Sequence, residues 1–523
     1  MPHQNNHHGL LVEGYFFNEK SLQGGCYMLF NSIHFLIFFP IVLSLYFILP
    51  KKCRSTVLLI ASYYFYMSWN PTYALLILFS TASTFLGGIL LTRAQDKQQN
   101  KKAKWILGSV VTINLAILFM FKYLDFAISN LNSVLSALNI QIVDNPFDFL
   151  LPVGISFYTF QALGYIIDVY RKDIETEKNF FKYALFVSFF PQLVAGPIER
   201  SGNLLRQIRN VDKIKVSFKQ ATSGLVIMLW GFFMKMVIAD RIAVVANYAF
   251  DNYWKLDSFA LIIGAIAFAI QIYCDFASYS TIAIGAAKVM GFELMENFNV
   301  PYAATSIKDF WSRWHISLST FFKDYLYFPL GGNRKGKYRT YLNLLIVFLV
   351  SGVWHGANWT FIFWGALHGV YQIIGRITLP TKEKLYDKLG LDRKSFSFKF
   401  FKIACTFILV DIAWIFFRAT TISEAFAYIS RIFTQPDPWS LFNGSIFEMG
   451  LARPEMTILI LSVIVLLLVD IVKYRKGLCL DQALEKENVL FRWMIIFILL
   501  IAVIIFGAYG VGFDAQDFIY FQF

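Results

Sequence analysis

Four histidines lie outside the polar N-terminal tail of this 523-residue chain, and they are its best-suited acid–base groups. His355 is the most unusual because apolar runs flank it on both sides, in LIVFLVSGVWHGANWTFIFWG. An ionisable side chain inside a membrane span costs free energy and marks a functional site by default. A neutral imidazole there can accept a proton from an attacking hydroxyl, which is worth about 10²–10⁴-fold in rate. The alternative is a structural histidine hydrogen-bonded between helices.

His315 lies in a second segment, KDFWSRWHISLSTFFKDYLYFPLGGNRKGKYR, which mixes aromatic and basic side chains. Such a segment is typical of an amphipathic stretch anchored on lipid headgroups. The alternative is that its polar and basic side chains bind the phosphates of a nucleotide-type acyl donor. His315 itself either supports catalysis or packs structurally. The candidate donor-binding residues of this segment are Arg313, Lys323, Asn333 and Arg334.

Two further polar residues interrupt apolar sequence. Asn358 follows His355 closely and, with Gly352 and Gly356, predicts a helix break that lines a cavity. Asp275 lies in the apolar stretch QIYCDFASYSTIAIG, where it either contacts substrate or pairs with a cation or a helix. Both residues are candidates for substrate or donor binding.

The remaining histidines fit structural roles better. His368 is expected to form an interhelical hydrogen bond, and His34 to lie at the membrane interface. A zinc site would have to combine His315, His355 and His368, whose spacings of 40 and 13 residues match no ligand motif. We therefore predict no metal site.

The amino-acid composition is that of a membrane protein. Hydrophobic residues make up 57% of the chain and charged residues 15%, whereas soluble domains average about 45–50% and about 25%. Lipid is the solvent that accommodates so much apolar surface. The net charge of +13 comes from 47 basic and 34 acidic residues, and the basic ones occupy short loops between apolar spans. This pattern indicates membrane topology and a lipid-bilayer partner, not a nucleic acid.

Long apolar segments predict an all-α, polytopic integral membrane protein with about 11–13 transmembrane or re-entrant helices. Three segments are shorter or broken and are expected to be re-entrant or half-spanning pieces. These three are 183–197, 340–354 and 358–376. The ten candidate spans are 30–49, 55–70, 73–93, 105–126, 150–170, 217–239, 259–281, 398–417, 456–472 and 491–511.

Loop charges predict the orientation of these helices. Loops 50–54 and 93–104 are basic and lie two spans apart, so both should be cytoplasmic, whereas 127–149 has no Lys or Arg and falls on the far side. Basic loops also flank 340–376, which should therefore enter and leave from the cytoplasmic side. His355 would then lie deep, near the turn.

The chain divides into two parts. Residues 1–27 form a polar extension without the apolar core of a signal peptide, and we expect either a disordered tail or an over-extended start. Residues 28–523 form one membrane domain, with no internal repeat and no attached soluble domain.

Seven sequence blocks, in order from about residue 28 to the end, together resemble the membrane-bound O-acyltransferase family, and within it the bacterial alginate O-acetyltransferase-like subgroup. Two of the blocks carry histidines, RWHISLSTFFKDYLYFPLGGNRKG and GVWHGANWTFIFWGALHG. The others are LPVGISFYTFQALGYIIDVYR, FFPQLVAGPIER, QIYCDFASYSTIAIG, ENFNVPYAATSIKDFW and WIFFRA.

The resemblance implies an O-acetyltransferase of the bacterial inner membrane. His355 matches the family's catalytic histidine and His315 its second histidine. The implied donor is cytoplasmic acetyl-CoA, with no bound cofactor, and the acetyl group would pass through a central funnel to the periplasmic side. A periplasmic SGNH-hydrolase-like partner would then place it on hydroxyls of a polysaccharide acceptor. Relatives often have D-F-S-G-Y-S-D where Asp275 begins D-F-A-S-Y-S-T, so a glycine and an acid are missing here.

Two other classes of function compete with this reading. One is a transporter or flippase for a lipid-linked or acylated substrate, and the other is a scaffold subunit of a polysaccharide export complex. Transporters usually show internal repeats with paired broken helices, and the sequence shows neither. The residues leave open which polysaccharide is modified and whether His355 acts as a general base or carries the acyl group.

Overall fold

The computed structural model describes residues 28–145, 147, 151–194, 196–509 and 518–519, and the predicted extension 1–27 lies outside them. Within this part of the chain the secondary structure is helical without a strand, so the all-α prediction is confirmed. The α-helices are α1 (Ile33–Ile48), α2 (Arg54–Met67), α3 (Ala74–Asp96), α4 (Asn100–Lys122), α5 (Leu124–Ala137), α6 (Ile155–Arg171), α7 (Phe180–Ser188), α8 (Phe190–Leu193), α9 (Ser201–Arg209), α10 (Phe218–Phe232), α11 (Asp240–Asp251), α12 (Ser258–Val289), α13 (Ile307–Trp311), α14 (Ile316–Phe322), α15 (Lys337–His355), α16 (Trp359–Lys388), α17 (Phe396–Arg418), α18 (Ile422–Thr434), α19 (Ser440–Asn443), α20 (Arg453–Lys476), α21 (Leu480–Glu485) and α22 (Val489–Phe506).

Among the described residues, seven helices are long and apolar enough to cross a membrane. They are Pro71–Asp96, Asn100–Lys122, Phe218–Asp251, Ser258–Val289, Phe396–Arg418, Arg453–Lys476 and Val489–Phe506. Each overlaps one of the ten predicted spans. The other three predicted spans form the shorter helices α1, α2 and α6, of 16, 14 and 17 residues. The chain is therefore a multi-pass membrane protein.

Helices α6 and α12 form the centre of the protein, since most of their side chains are buried. Helix α12 packs against α10, α11 and α17. Its contact with α10 is close because two glycines face each other: a Cβ on Gly285 would lie 2.6 Å from the carbonyl oxygen of Gly224. Small residues let membrane helices approach in this way. The peripheral helices α20 and α22 instead expose most of their apolar side chains, as lipid-facing helices do.

The region 340–376 contains the predicted break. It folds as a hairpin whose arms, α15 and α16, contain 19 and 30 residues. Nineteen helical residues rise about 28 Å, which is close to the thickness of the hydrocarbon core, about 30 Å. The start of α15, Lys337–Tyr341, is polar and aromatic, which lowers the hydropathy of a helix that is otherwise long enough to span.

The hairpin turn lies at the end of the molecule opposite the basic loops, which we call the charge-poor side. Helices α4 and α17 both begin next to basic loops, and the turn contacts their far ends. Lys122, the last residue of α4, donates from Nζ to the carbonyl oxygen of His355 at 3.0 Å. The Nδ2 of Asn358 donates to the carbonyl oxygen of Thr420, just beyond α17, at 3.1 Å.

Candidate functional site

His355 is the last residue of α15 and is almost fully buried. The helix ends there because Gly356 adopts an extended conformation, with φ −167°. Asn358 then caps α16, since its Oδ1 accepts from the backbone N–H of Thr360 at 3.0 Å. The predicted break is therefore present at Gly356 and Asn358, whereas Gly352, from which it was also predicted, lies within α15.

Aromatic rings surround the imidazole of His355. Its ring centroid lies 5.0 Å from that of Trp354, 4.9 Å from Trp364 and 5.4 Å from Phe417. These rings come from α15, α16 and α17, so three helices define the position of one imidazole. Because they shield it from bulk water, a proton-transfer step at this position takes place in a low-dielectric environment.

His315 precedes α14 and is fully buried, with a left-handed backbone of φ 43° and ψ 55°. Few non-glycine residues adopt this conformation, and it is held here by neighbouring contacts. The Nδ1 of His315 lies 3.1 Å from Oδ1 of Asn297, and the backbone N–H of Ile316 donates to the carbonyl oxygen of Asn297. Asn297 therefore binds both the ring and the adjacent backbone.

The contacts of Asn297 determine which nitrogen of His315 carries the proton. The backbone N–H of Ser317 points at Oδ1 of Asn297 at 3.2 Å, and this can only be a donor-to-acceptor contact. The Nδ2 of Asn297 donates to Oγ of Ser280 at 3.0 Å. Since Oδ1 of Asn297 is an acceptor, Nδ1 of His315 must donate to it. The lone pair of the neutral ring is then on Nε2.

The structure brings the two predicted histidines together around one tryptophan. The ring centroid of Trp354 lies 5.8 Å from that of His315 and 5.0 Å from that of His355. The two residues are 40 positions apart in sequence and belong to different elements. The two imidazoles therefore lie at one buried location.

A cavity of about 70 Å³ lies beside His355. On the same scale, a cavity needs about 10–15 Å³ to hold one water molecule. This cavity therefore has room for a few small chemical groups. It is lined by Lys122, Leu151, Pro152, Val153, Gly154, Ile155, Ser156, Phe157, Trp354 and His355. The lining segment 151–157 directly follows the predicted far-side segment 127–149, so the cavity belongs to the charge-poor half of the protein.

A column of aromatic rings runs from the histidines toward the basic side. Trp354 lies 5.8 Å from Phe160, which stacks on Phe321 at 4.7 Å, and Phe321 lies 4.5 Å from Tyr325. Tyr325 is in the basic segment that follows His315. The column therefore connects the surroundings of the two histidines with the basic segment.

The donor-binding candidates of the basic segment lie away from the cavity. Lys323, Asn333 and Arg334 are exposed on the basic side. The Nε of Arg313 forms an ion pair with Oδ1 of Asp309 at 2.7 Å. None of these four candidates is among the described residues that line the cavity beside His355. Donor binding by them remains a prediction.

Asp275 has two strong partners. Its Oδ1 accepts from Nζ of Lys235 at 2.6 Å, and its Oδ2 accepts from the backbone N–H of Ile519 at 2.7 Å. Lys235 also pairs with Asp240 at 2.7 Å, and all three charged side chains are buried. Asp275 therefore has the cation partner that was one of its two predicted roles, while substrate contact stays a prediction.

His368 matches its predicted structural role. Its Nδ1 accepts a hydrogen bond from Nε1 of Trp311 at 3.2 Å, which joins α16 to α13. The predicted interhelical hydrogen bond is confirmed.

Sequence reasoning missed two residues at this site, Asn297 and Lys122. Asn297 is 18 residues before His315 in a loop; it lies in the family block ENFNVPYAATSIKDFW, but neither its residue type nor its spacing indicates a contact with His315. Lys122 did carry a signal. It is a basic residue at the far-side end of a span, whereas Lys and Arg are expected mainly at the cytoplasmic ends. A cation at such an end is therefore worth testing as a site residue.

The fold and the site define a class of protein: an all-helical, multi-pass membrane protein with two buried histidines, one of which, His355, lines a cavity. Comparison with known proteins agrees with this class. A model of the membrane-bound O-acyltransferase family matches residues 172–385, a range that contains both histidines. The relatives described next extend the similarity over most of the chain.

A probable alginate O-acetylase of Pseudomonas putida is 40% identical over 420 residues, which are 79% of this chain and 82% of the relative. A peptidoglycan O-acetyltransferase of Helicobacter pylori is 34% identical over 76% of this chain and 78% of the relative. A teichoic acid D-alanyltransferase of Bacillus subtilis is 28% identical over 43% of this chain and 59% of the relative. This chain belongs to the membrane-bound O-acyltransferase family, and it is an acyltransferase that requires an acyl donor.

Proposed function

We propose that this enzyme transfers an acetyl group from a cytoplasmic donor, across the bacterial inner membrane, to hydroxyls of a cell-envelope polysaccharide. The observation that carries the proposal is the pair of buried histidines around Trp354, with a cavity of small-acyl size beside His355. Relatives named for O-acetylation of alginate and of peptidoglycan support the acetyl group and the polysaccharide.

The proposed donor is acetyl-CoA on the basic side. Lys323 and Arg334 are exposed there, in the same chain segment as Phe321 and Tyr325 of the aromatic column. Exposed cations bind phosphates by charge-assisted hydrogen bonds. The acetyl thioester would extend from this surface toward the cavity, and the nucleotide would stay outside. The basic side is then the cytoplasmic face, as the loop charges predict.

In the proposed reaction an acceptor hydroxyl attacks the carbonyl carbon of the acetyl thioester. His355 accepts the hydroxyl proton as the new carbon–oxygen bond forms. The carbon–sulfur bond then breaks, and the proton passes from His355 to the departing thiolate. His315 supports this step through Nε2, the nitrogen that carries the lone pair when Nδ1 donates to Asn297.

The acceptor side is the charge-poor half, where the cavity at His355 lies. We propose that the acetyl group leaves there and that a periplasmic SGNH-hydrolase-like partner places it on the polysaccharide. The partner's hydroxyl would be the direct acceptor, and the polymer the final one.

The test is the acetate content of the polysaccharide in cells that carry His355→Ala. The variant should abolish acetylation at normal protein level and normal polymer export, while the control His34→Ala, at the exposed start of α1, should not. Unchanged acetylation would refute the proposal. Lost export with normal acetylation of the remaining polymer would favour a transporter.

A further inference from the structure

Lys122 places a primary amine at the cavity beside His355. It is half-buried at the end of α4, and both Lys122 and His355 line the cavity. Its Nζ donates to the carbonyl oxygens of Trp354 at 2.8 Å and of His355 at 3.0 Å. The amine is therefore held against the backbone of the residue proposed to act as the base.

Two contacts of this amine, with helix-end carbonyls and with an aromatic ring, stabilise its charged form. The two carbonyls that it contacts are at the C-terminal end of α15, where the helix dipole stabilises a positive charge. The ring centroid of Trp354 also lies 5.9 Å from Nζ of Lys122, within range of a cation–π interaction. An ammonium has three N–H groups, and two are used by the carbonyls. Among the described residues no protein acceptor takes the third.

We infer that Lys122 is a further catalytic residue, whose ammonium stabilises the negative charge that develops on the acyl carbonyl oxygen. This inference rests on the proposed function. When the acceptor hydroxyl attacks the thioester carbon, the carbonyl π electrons move to oxygen, and the third N–H of Lys122 donates to that oxygen. When the carbon–sulfur bond breaks, the electron pair on oxygen re-forms the carbonyl double bond, and the negative charge leaves on the thiolate sulfur. Lys122 itself gains and loses no proton in the step.

The size of the effect follows from comparable sites. Removing one preorganised donor to an oxyanion costs about 10²–10³-fold in maximal rate. An interaction made only in the transition state lowers the maximal rate and leaves KM unchanged. The competing role is structural, a cap on the end of α15, and it depends on hydrogen bonds and not on charge.

Substitutions at Lys122 separate the two roles. Lys122→Gln retains N–H donors for the carbonyls and removes the charge, whereas Lys122→Met removes both. Lys104→Gln is the matched control, because Lys104 is an exposed lysine near the other end of the same helix. The assay is the incorporation of radiolabelled acetyl into polysaccharide by membranes, with acetyl-CoA varied to obtain KM and maximal rate, and with protein level measured in parallel.

We expect both Lys122 variants to lose about 10²–10³-fold in maximal rate at unchanged KM, and Lys104→Gln to match the wild type. A normal rate in Lys122→Gln, with or without a defect in Lys122→Met, would overturn the inference. If both variants fail to accumulate, Lys122→Cys alkylated with 2-bromoethylamine decides the question, with wild type treated identically. A rate restored by alkylation supports a catalytic role for the positive charge at position 122. A rate that is not restored overturns the inference. Normal transfer in His355→Ala would refute the proposed function instead, so the two failures are distinguishable.

Discussion

Asn297 has two contacts that matter for chemistry, one to the ring of His315 and one to the backbone beside it. The fully buried amide of Asn297 accepts from Nδ1 of His315 and so sets the tautomer of that ring. A reaction that uses Nε2 of His315 depends on this tautomer. The two histidines could be predicted from sequence because ionisable groups are rare in apolar stretches. Asn297 and Lys122 could not be assigned roles, because their importance comes from contacts formed across 18 and more than 200 residues.

Substitution of Asn297 tests this account at the residue scale. Asn297→Asp keeps the oxygen that accepts from Nδ1 of His315, whereas Asn297→Leu removes it at similar volume. We expect Asn297→Leu to lower the maximal rate of acetyl transfer by about 10²-fold, the usual worth of a positioned acid–base group. Asn297→Asp should recover most of that loss. Equal loss in both variants, at normal protein level, would show that the oxygen does not orient the ring.

At the scale of elements, the α15–α16 hairpin positions His355. Its two arms are in close contact: a Cβ on Gly365 would lie 2.3 Å from the carbonyl oxygen of Phe348. The break at the turn could be predicted from sequence, because glycine and asparagine mark it. The length of α15 could not, because its polar start lowers its hydropathy.

A methyl group at this contact should separate the arms. Gly365→Ala forces a clash with Phe348, and overpacking of this kind costs about 1–3 kcal/mol. We expect a lower melting temperature and reduced polysaccharide acetylation, because His355 shifts with α15. The control is Gly375→Ala on the same helix, where nothing lies within 4 Å of the added Cβ. It should be neutral or slightly stabilising. Equal behaviour of the two variants would contradict the close contact.

At the scale of the whole molecule, a buried charge cluster connects several elements. Lys235 joins Asp240 to Asp275 of α12, and Asp275 also accepts from the backbone of Ile519 near the chain end. Hydropathy could predict that Asp275 lies within a span and needs a partner. It could not identify Lys235, because pairing between two helices depends on their rotation and depth, which hydropathy does not encode.

Removing the cation should leave two carboxylates buried without compensation. Lys235→Met is therefore expected to destabilise the protein by about 3–5 kcal/mol, the usual cost of breaking a buried pair. Protein level and thermal unfolding of the purified protein measure this. Adding Asp275→Asn to Lys235→Met should recover part of the loss, because coupled sites are not additive. The control is Lys219→Met, which breaks only an exposed pair with Glu485 and should cost less than about 1 kcal/mol.

In the proposed function, the acetyl group enters on one side of the molecule and leaves on the other. Exposed cations lie on the basic side, an aromatic column follows, and the cavity at His355 lies in the charge-poor half. Loop charges could predict the two sides from sequence. The column could not be predicted, because its rings come from α6, α14, α15 and the turn 323–327 after α14, and meet only in the folded protein.

The most direct test of the central claim uses inverted membrane vesicles, in which the cytoplasmic face is outside. Radiolabelled acetyl-CoA is added to that face, and label in the polysaccharide enclosed within the vesicles is measured for wild type and His355→Ala. The account predicts label inside wild-type vesicles and none above background in His355→Ala at equal protein level. Equal labelling in the two preparations would contradict it.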